Sequence, residues 1–357
     1  MRVLIVKLSA LGDVINSLPV SMAIHAQRPE AVVDWLVESP NAGILAGHPA
    51  LNEVLVSPRH GPRGGLTGRL ARFARELRGR RYDVVLDLQG LMKSAIFVKF
   101  SRADRKIGFR GGKEPLAAWA LTERLPAYDP ERHALERYLD LLAPLGLERP
   151  ARSEFGLAPT PADTARARAL LEGSGQARPL VLLHPMAKWE SKLWPVAHWV
   201  HLARLLAGAG FDLALTGSGQ DKAVTGAMAG ALRGQTGLAG SMRDLAGQAD
   251  LKTLAALQSL AAAVVSTDTG TMHLAAALGT PVVALFGPTS ARRTGPYGPG
   301  HQVLSLGLGC QPCFRRRCPR PRCLEELPPA NAARAVMEIV ERQPPGVSHT
   351  AGDSNGM

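Results

Sequence analysis

The sequence predicts an α/β protein made of two doubly wound parallel-sheet domains, and three observations carry that prediction. Apolar strand-like runs alternate with helix-like segments along the first half. The alternation restarts beyond a stretch marked by Pro150, Pro159, Pro161 and Gly173-Ser174-Gly175. Finally, 357 residues exceed one typical domain and suffice for two, each with its own core. The domains are expected at 1–158 and 159–342, with a flexible polar tail at 343–357.

Residues 3–8 form a continuous apolar strand, Ser9-Ala10-Leu11-Gly12-Asp13 a loop, and the helical pattern begins at Val14, with Pro19 near its first turns. Asp34-Trp35-Leu36-Val37, Val54-Leu55-Val56 and residues 83–88 read as the next three strands. Ligands of such a sheet sit beyond the carboxyl ends of its strands. That marks two loops: Gly12-Asp13 after the first strand and residues 89–94 after the fourth. Residues 59–81 hold Arg59, Arg63 and six further arginines against one acid, Glu76, while Leu66, Leu70, Phe73 and Leu77 share one helical face. Such a helix can face anionic lipid or an acidic glycan, although a solvated charged face is the commoner origin of the pattern. A helix from about Glu131 places His133 and Arg137 at i, i+4 on one face.

In the second half, residues 180–183 are a strand ending in His184-Pro185, 194–209 a helix, 211–215 a strand, 220–232 a helix, and 251–260 a helix leading into the most informative stretch. That stretch, 264–288, reads as strand, turn, short helix and strand. Asp268-Thr269-Gly270-Thr271 supplies the turn, Gly279 stops the helix and Pro281 lies beyond it. A helix start at a strand's carboxyl end offers free N–H groups and a positive dipole end to a phosphate; the same residues also suit a capped turn. A last helix is expected near 330–341.

The loops carry the chemistry. Asp13 can act as a general base, worth roughly 10²–10⁴-fold in rate, or cap a helix. Lys192, in the loop 184–195, would stand at the same sheet edge as Thr269, and a lysine beside a helix terminus can neutralise a leaving diphosphate. Asp221, after another strand, is placed to accept from ribose hydroxyls. Neither half opens with G-x-G-x-x-G and no G-x-x-x-x-G-K-[ST] occurs, which argues against a dinucleotide oxidoreductase or a P-loop NTPase. The net charge of +12 alone would allow nucleic acid, but with 5% aromatic residues and no recognisable module none is expected. No apolar run approaches the ~18 residues of a membrane span. The N-terminus, with four apolar residues before Lys7, reads as a first strand and not a signal peptide, so a cytoplasmic location is expected.

All four cysteines, Cys310, Cys313, Cys318 and Cys323, lie in one arginine-rich stretch. Clustering in a cytosolic chain favours a metal over disulfides, and four thiolates could close a structural zinc site. The spacing is not that of a standard zinc ribbon, and reduced packing or redox-sensitive thiols are the alternatives.

Lys7-Leu8-Ser9-Ala10-Leu11-Gly12-Asp13, the segment HPMAKWESKLWP at 184–195 and STDTGTMHLAAALGTPVVALFGPT from Ser266 resemble the lipopolysaccharide heptosyltransferases, glycosyltransferase family 9. The likeness extends to about residue 342. Residues 33–38, 88–95, 113–117 and 133–137 are most similar to its first-heptose branch, heptosyltransferase I. The resemblance implies a GT-B architecture, two Rossmann-like domains facing a cleft, and an inverting transfer of heptose from ADP-L-glycero-D-manno-heptose to Kdo of Kdo-lipid A. It further implies peripheral attachment to the cytoplasmic face of the inner membrane and no cofactor required for catalysis. By the same resemblance Asp13 is the catalytic base; Lys192, Asp268, Thr269, Gly270 and His273 hold the donor; and Ser9, Gly12, Arg59, Arg63, His133 and Arg137 fall on the acceptor side. Asp221 stands where the family has a ribose-binding glutamate, and Met186-Ala187 replaces the Thr-Thr of some first-heptose enzymes. The rivals are heptosyltransferase II or another cell-surface glycan transferase and, in a different class, a non-catalytic nucleotide-sugar or lipid A binding protein.

Overall fold

The apolar runs at the start of the chain, at 34–37 and at 83–88 form strands largely covered on both faces, as central parallel strands are, whereas Val54-Leu55-Val56 lies in an edge strand with Val56 exposed. In the computed structural model, which describes residues 1–59, 65–172, 178–232 and 242–342, the chain divides into two compact units, Met1–Leu157 and Ala158–Met357. Arg63 and the tail 343–357 lie outside the described residues.

The first unit is built on β1 (Arg2–Val6), β2 (Val32–Glu38), β3 (Glu53–Ser57), β4 (Arg81–Asp87), β5 (Arg102–Phe109) and β6 (Glu123–Leu125). All its pairings are parallel, in the order β3-β2-β1-β4-β5-β6. The last two strands escaped the sequence reading. β5 begins Arg-Ala-Asp-Arg-Lys and has no apolar run, and β6 is three residues long. The strand order reverses between β1 and β4, which is where a doubly wound sheet opens a crevice for ligands.

Two helix starts differ from expectation, and both bear on the site. The helix after β1 spans Leu11–Gln27, so Asp13 belongs to its first turn and not to a loop. An acid there is favoured by the helix dipole, and Oδ2 of Asp13 accepts the Ala10 N–H at 3.3 Å. The helix predicted from Glu131 begins at Ala134. His133 is its cap, with Nδ1 accepting the Leu135 N–H at 3.2 Å and its carbonyl accepting the Arg137 N–H at 3.2 Å. The basic helix forms as predicted over Leu66–Gly79, with Phe73 and Leu77 in the core and Arg72, Arg75 and Arg78 exposed.

The second unit repeats the plan with β7 (Leu180–His184), β8 (Asp212–Leu215), β9 (Met242–Asp244), β10 (Ala263–Thr267), β11 (Val282–Leu285) and β12 (Gln302–Leu304), ordered β12-β11-β10-β7-β8-β9 and all parallel. Counted from its first strand this is the same order as in the first unit, with the reversal between β7 and β10. Alternate strand residues feed two cores. Leu183, Leu215, Val265 and Val283 meet the helices Val196–Gly208, Lys222–Leu232 and Pro329–Glu341 on one face. Leu182, Ala214, Val264 and Ala284 meet Pro161–Leu171, Leu251–Leu260 and Gly270–Ala277 on the other. Each large apolar side chain so covered contributes about 1.5–3 kcal/mol. Both sheets are thereby Rossmann-like, the paired units of a GT-B protein.

Candidate active site

In the first unit the marked residues gather at the crevice between β1 and β4. The backbone leaving β1 is held from three sides: Gln89 Oε1 accepts the N–H groups of Leu8 and Ser9 at 3.0 Å each, Asn41 Nδ2 donates to the Leu8 carbonyl at 3.1 Å, and Trp35 Nε1 donates to that of Lys7 at 3.2 Å. Beneath it lies a buried lysine that the sequence reading quoted but did not place in the site. Lys7 Nζ donates to the Leu88 carbonyl at 2.9 Å and to the Tyr138 hydroxyl at 2.7 Å; that hydroxyl donates in turn to Asp13 Oδ1 at 3.1 Å. Burial pulls the Lys7 ammonium down, against the opposing pull of Asp13 and Asp87. Burial likewise pushes the Tyr138 phenol well above its ordinary value, with the Asp13 charge acting in the same direction. The phenol is therefore a proton donor at neutral pH. The Asp13 side chain reaches solvent, 42% exposed against 3% for Lys7. A carboxylate supported from below and open above can take a proton from a substrate hydroxyl.

Asp87, at the end of β4, is also buried. It accepts the N–H groups of Gln89 and Gly90 at 3.0 Å each and the Ser94 hydroxyl at 3.3 Å, and burial still raises its carboxyl. On the other flank Lys93 donates to Ser9 Oγ and, at 3.1 Å, to Glu38, which also faces Arg59 Nε at 3.7 Å. Arg59 and Ser9 are thus joined through Glu38 and Lys93. Gly12 is buried in the first helical turn. Arg137 stacks its guanidinium 4.5 Å from the Tyr128 ring centroid, and its charge reaches both Lys7 and Tyr138. Its Nε is buried with no hydrogen-bond partner, which leaves a donor for an incoming anion.

In the second unit the crevice between β7 and β10 gathers the donor-type residues. Lys192, in the short 3₁₀ turn Glu190–Lys192, donates to the Asp268 carboxylate at 2.7 Å and to its carbonyl at 3.2 Å. Both side chains are largely buried, 15% and 7% exposed. An ammonium has three N–H bonds, so one remains beyond those two. Thr269 caps the helix Gly270–Ala277, whose first turn holds buried Thr271 and His273. The hydroxyls of Thr267 and Thr289, at the ends of β10 and just beyond β11, are buried without a partner. Below them His184 bridges Thr216 Oγ1 at 3.0 Å and Thr271 Oγ1 at 3.2 Å, and burial lowers its pKa to about 4. Neutral at physiological pH, it locks the donor helix to the sheet.

Asp221 closes the turn Gly219–Asp221 on itself. Its Oδ2 accepts both the N–H and the hydroxyl of Ser218 at 2.7 Å. A residue engaged in this way keeps its second oxygen for other partners. The turn fits tightly: a Cβ on Gly247, at φ +69°, would stand 2.7 Å from Gly219 Cα.

The cysteine-rich segment braces this crevice. Arg315 and Arg316 offer carbonyls to Ser191 Oγ at 2.6 Å and to its N–H at 3.3 Å, while the N–H groups of Cys313 and Phe314 bond the Pro288 carbonyl at 3.1 and 2.8 Å. Two cations stand near the Trp189 ring, Lys192 at 4.5 Å and Arg316 at 5.4 Å from its centroid. The thiols are free and spread from exposed Cys310 to buried Cys323, whose thiol burial pushes up, with the other three adding to the effect. Among the described residues no group of three or more His, Cys, Asp or Glu side chains is disposed to hold a metal ion, so the four-thiolate zinc site finds no support in this arrangement.

Comparison with known proteins places these residues in a family context. The model of glycosyltransferase family 9 (heptosyltransferase) matches residues 70–323. Lipopolysaccharide heptosyltransferase 1 of Pseudomonas aeruginosa is 34% identical, over 96% of this chain and 93% of its own length. Lipopolysaccharide heptosyltransferase 2 of Salmonella typhimurium is 29% identical, over 87% and 89%. Among solved structures, the E. coli heptosyltransferase WaaC with ADP-2-deoxy-2-fluoro heptose superposes with a TM-score of 0.73 at 28% identity, covering 95% of this chain and 99% of that one.

Proposed function

The chain belongs to glycosyltransferase family 9, the heptosyltransferases, and from that premise we propose that it transfers heptose from an ADP-heptose donor to the Kdo sugar of Kdo-lipid A, with inversion at the anomeric carbon. The observation that carries this reading is Asp13, a solvent-reaching carboxylate at the β1–β4 crevice that accepts a hydrogen bond from Tyr138. Asp13 takes the proton of the acceptor hydroxyl as its oxygen bonds to the anomeric carbon. The bond from that carbon to the diphosphate breaks in the same displacement, and ADP departs. Arg137, with a buried Nε lacking a partner, and Lys93 beside Ser9 supply positive charge for the carboxylate of an ulosonic acid acceptor. The start of the helix Gly270–Ala277 and Lys192 receive the charge developing on the diphosphate. His273, Thr267 and Thr289 line the same sheet edge, and Asp221 is assigned to the ribose.

The preference for a first-heptose over a second-heptose acceptor follows the higher identity to the Pseudomonas enzyme, 34% against 29% for the Salmonella heptosyltransferase 2. Labelled ADP-heptose offered with Kdo-lipid A and, separately, with an already heptosylated acceptor decides it. Transfer to the first is expected. Transfer only to the second moves the enzyme one step along, and donor binding without transfer to either makes it a nucleotide-sugar binding protein.

A further inference from the structure

Five of the twelve large apolar side chains exposed among the described residues fall in one short stretch of the first unit. Three of them, Met92, Ile96 and Phe100, lie at i, i+4 and i+8 of the helix Met92–Phe100 and so form a stripe along one side of it. The opposite side, Ala95, Phe97 and Val98, is already in the core. A helix apolar on both sides has one side more than the fold needs. The 3₁₀ helix Pro115–Ala120 packs beside it and adds Leu116, 78% exposed, and Trp119, 47% exposed.

The rim of this patch is cationic. Lys99 Nζ stands 5.3 Å from the Trp119 ring centroid, and the Arg78 guanidinium 5.3 Å from that of Phe100. Lys106 donates to the Lys99 carbonyl at 3.1 Å, and the charges that act on it are those of Lys99 and Arg78. Exposed aromatic and aliphatic groups ringed by Lys and Arg match the headgroup boundary of an anionic bilayer, where apolar side chains enter the acyl region and cations meet phosphates.

We infer that this surface, the outer stripe of Met92–Phe100 with Leu116 and Trp119, seats the protein on an anionic membrane. The inference rests on the proposed lipid-linked acceptor and extends it. Lys93, on the first turn of the same helix, reaches Ser9 beside Asp13, so docking through this helix brings the acceptor-side loop close to the surface that carries the acceptor. Three cations near an anionic surface are worth on the order of a hundredfold in partitioning at low salt.

The test is co-sedimentation of the full chain with phosphatidylglycerol-rich vesicles and with pure phosphatidylcholine vesicles. The wild type and a Leu116→Glu/Trp119→Glu variant are compared, and a Lys99→Glu/Lys106→Glu variant checks the rim. Wild-type binding to the anionic vesicles alone, weakened by salt and reduced at least about tenfold in both variants, is expected. Folding of the variants is checked by ADP affinity and by turnover on a deacylated, water-soluble Kdo acceptor, both expected within about twofold of wild type because neither pair belongs to the proposed site. Equal sedimentation of wild type and variants overturns the inference. So does wild-type self-association that the Leu116→Glu/Trp119→Glu variant abolishes, which would make the patch a protein interface. Vesicle binding as expected with no turnover on any Kdo acceptor would instead defeat the functional reading and leave the membrane surface standing.

Discussion

Replacing Tyr138 by Phe removes one hydroxyl and little volume, and it strikes the site at its support. In the native protein that hydroxyl donates to Asp13 at 3.1 Å and accepts from Lys7 at 2.7 Å. Without it, Lys7 keeps the Leu88 carbonyl at 2.9 Å and a 4.0 Å approach to Asp13, and the carboxylate loses a donor that favours its ionised form. A hydrogen bond to a charged group is worth about 1.5–3 kcal/mol. Turnover should therefore fall about 10- to 100-fold through misplacement of the base. The acid limb of the pH–rate profile should move to higher pH, because the donor that stabilised the charged base is gone. The assay is initial-rate ADP release against pH, with a thermal unfolding midpoint measured beside it. A purely structural tyrosine would lower the midpoint and leave the acid limb in place. Turnover within about twofold of wild type and an unmoved limb would refute the reasoning.

The remaining predictions concern the other groups the structure brings together. His184, with its folded pKa near 4 and an ordinary value of 6.5, stays neutral in the folded chain while the unfolded chain takes up a proton, so stability is full above pH 6.5 and is lost as pH falls to 4. The loss is on the order of 3 kcal/mol, and urea unfolding across that window should show a shallower pH slope for His184→Gln; an equal slope contradicts the assignment. Arg137→Gln should raise the acceptor KM about tenfold or more and leave ADP affinity alone, since the Nε without a partner lies in the first unit; an effect on ADP affinity alone would place that arginine elsewhere. Lys192→Met should weaken ADP binding about 10- to 100-fold in titration calorimetry and lower the unfolding midpoint, because it leaves the buried Asp268 carboxylate unpaired; unchanged ADP affinity would remove Lys192 from the donor site.

Much of this was legible in the sequence, and the misses have physical causes. Continuous apolar runs announced β1, β7 and β10, and the turn chemistry of Asp268-Thr269-Gly270 fixed the donor helix to within two residues. β5 was invisible because charged side chains occupy its first half, and the partner strands that bury its backbone are not local in sequence. The candidate base was legible, and its support was not. Lys7 reads as one residue of the first strand and Tyr138 as one more residue of a helix, yet 131 positions separate two groups that meet at 2.7 Å. The helix expected from about Glu131 begins three residues later because His133 is its cap, a role that periodicity alone does not exclude.

The account turns on Asp13 as the group that takes the acceptor's proton, and the most direct measurement is heptose transfer to Kdo-lipid A by Asp13→Ala with ADP affinity measured on the same preparation. Loss of transfer by about 10²–10⁴-fold with ADP affinity within about twofold of wild type is the predicted result. Full turnover by that variant would contradict it.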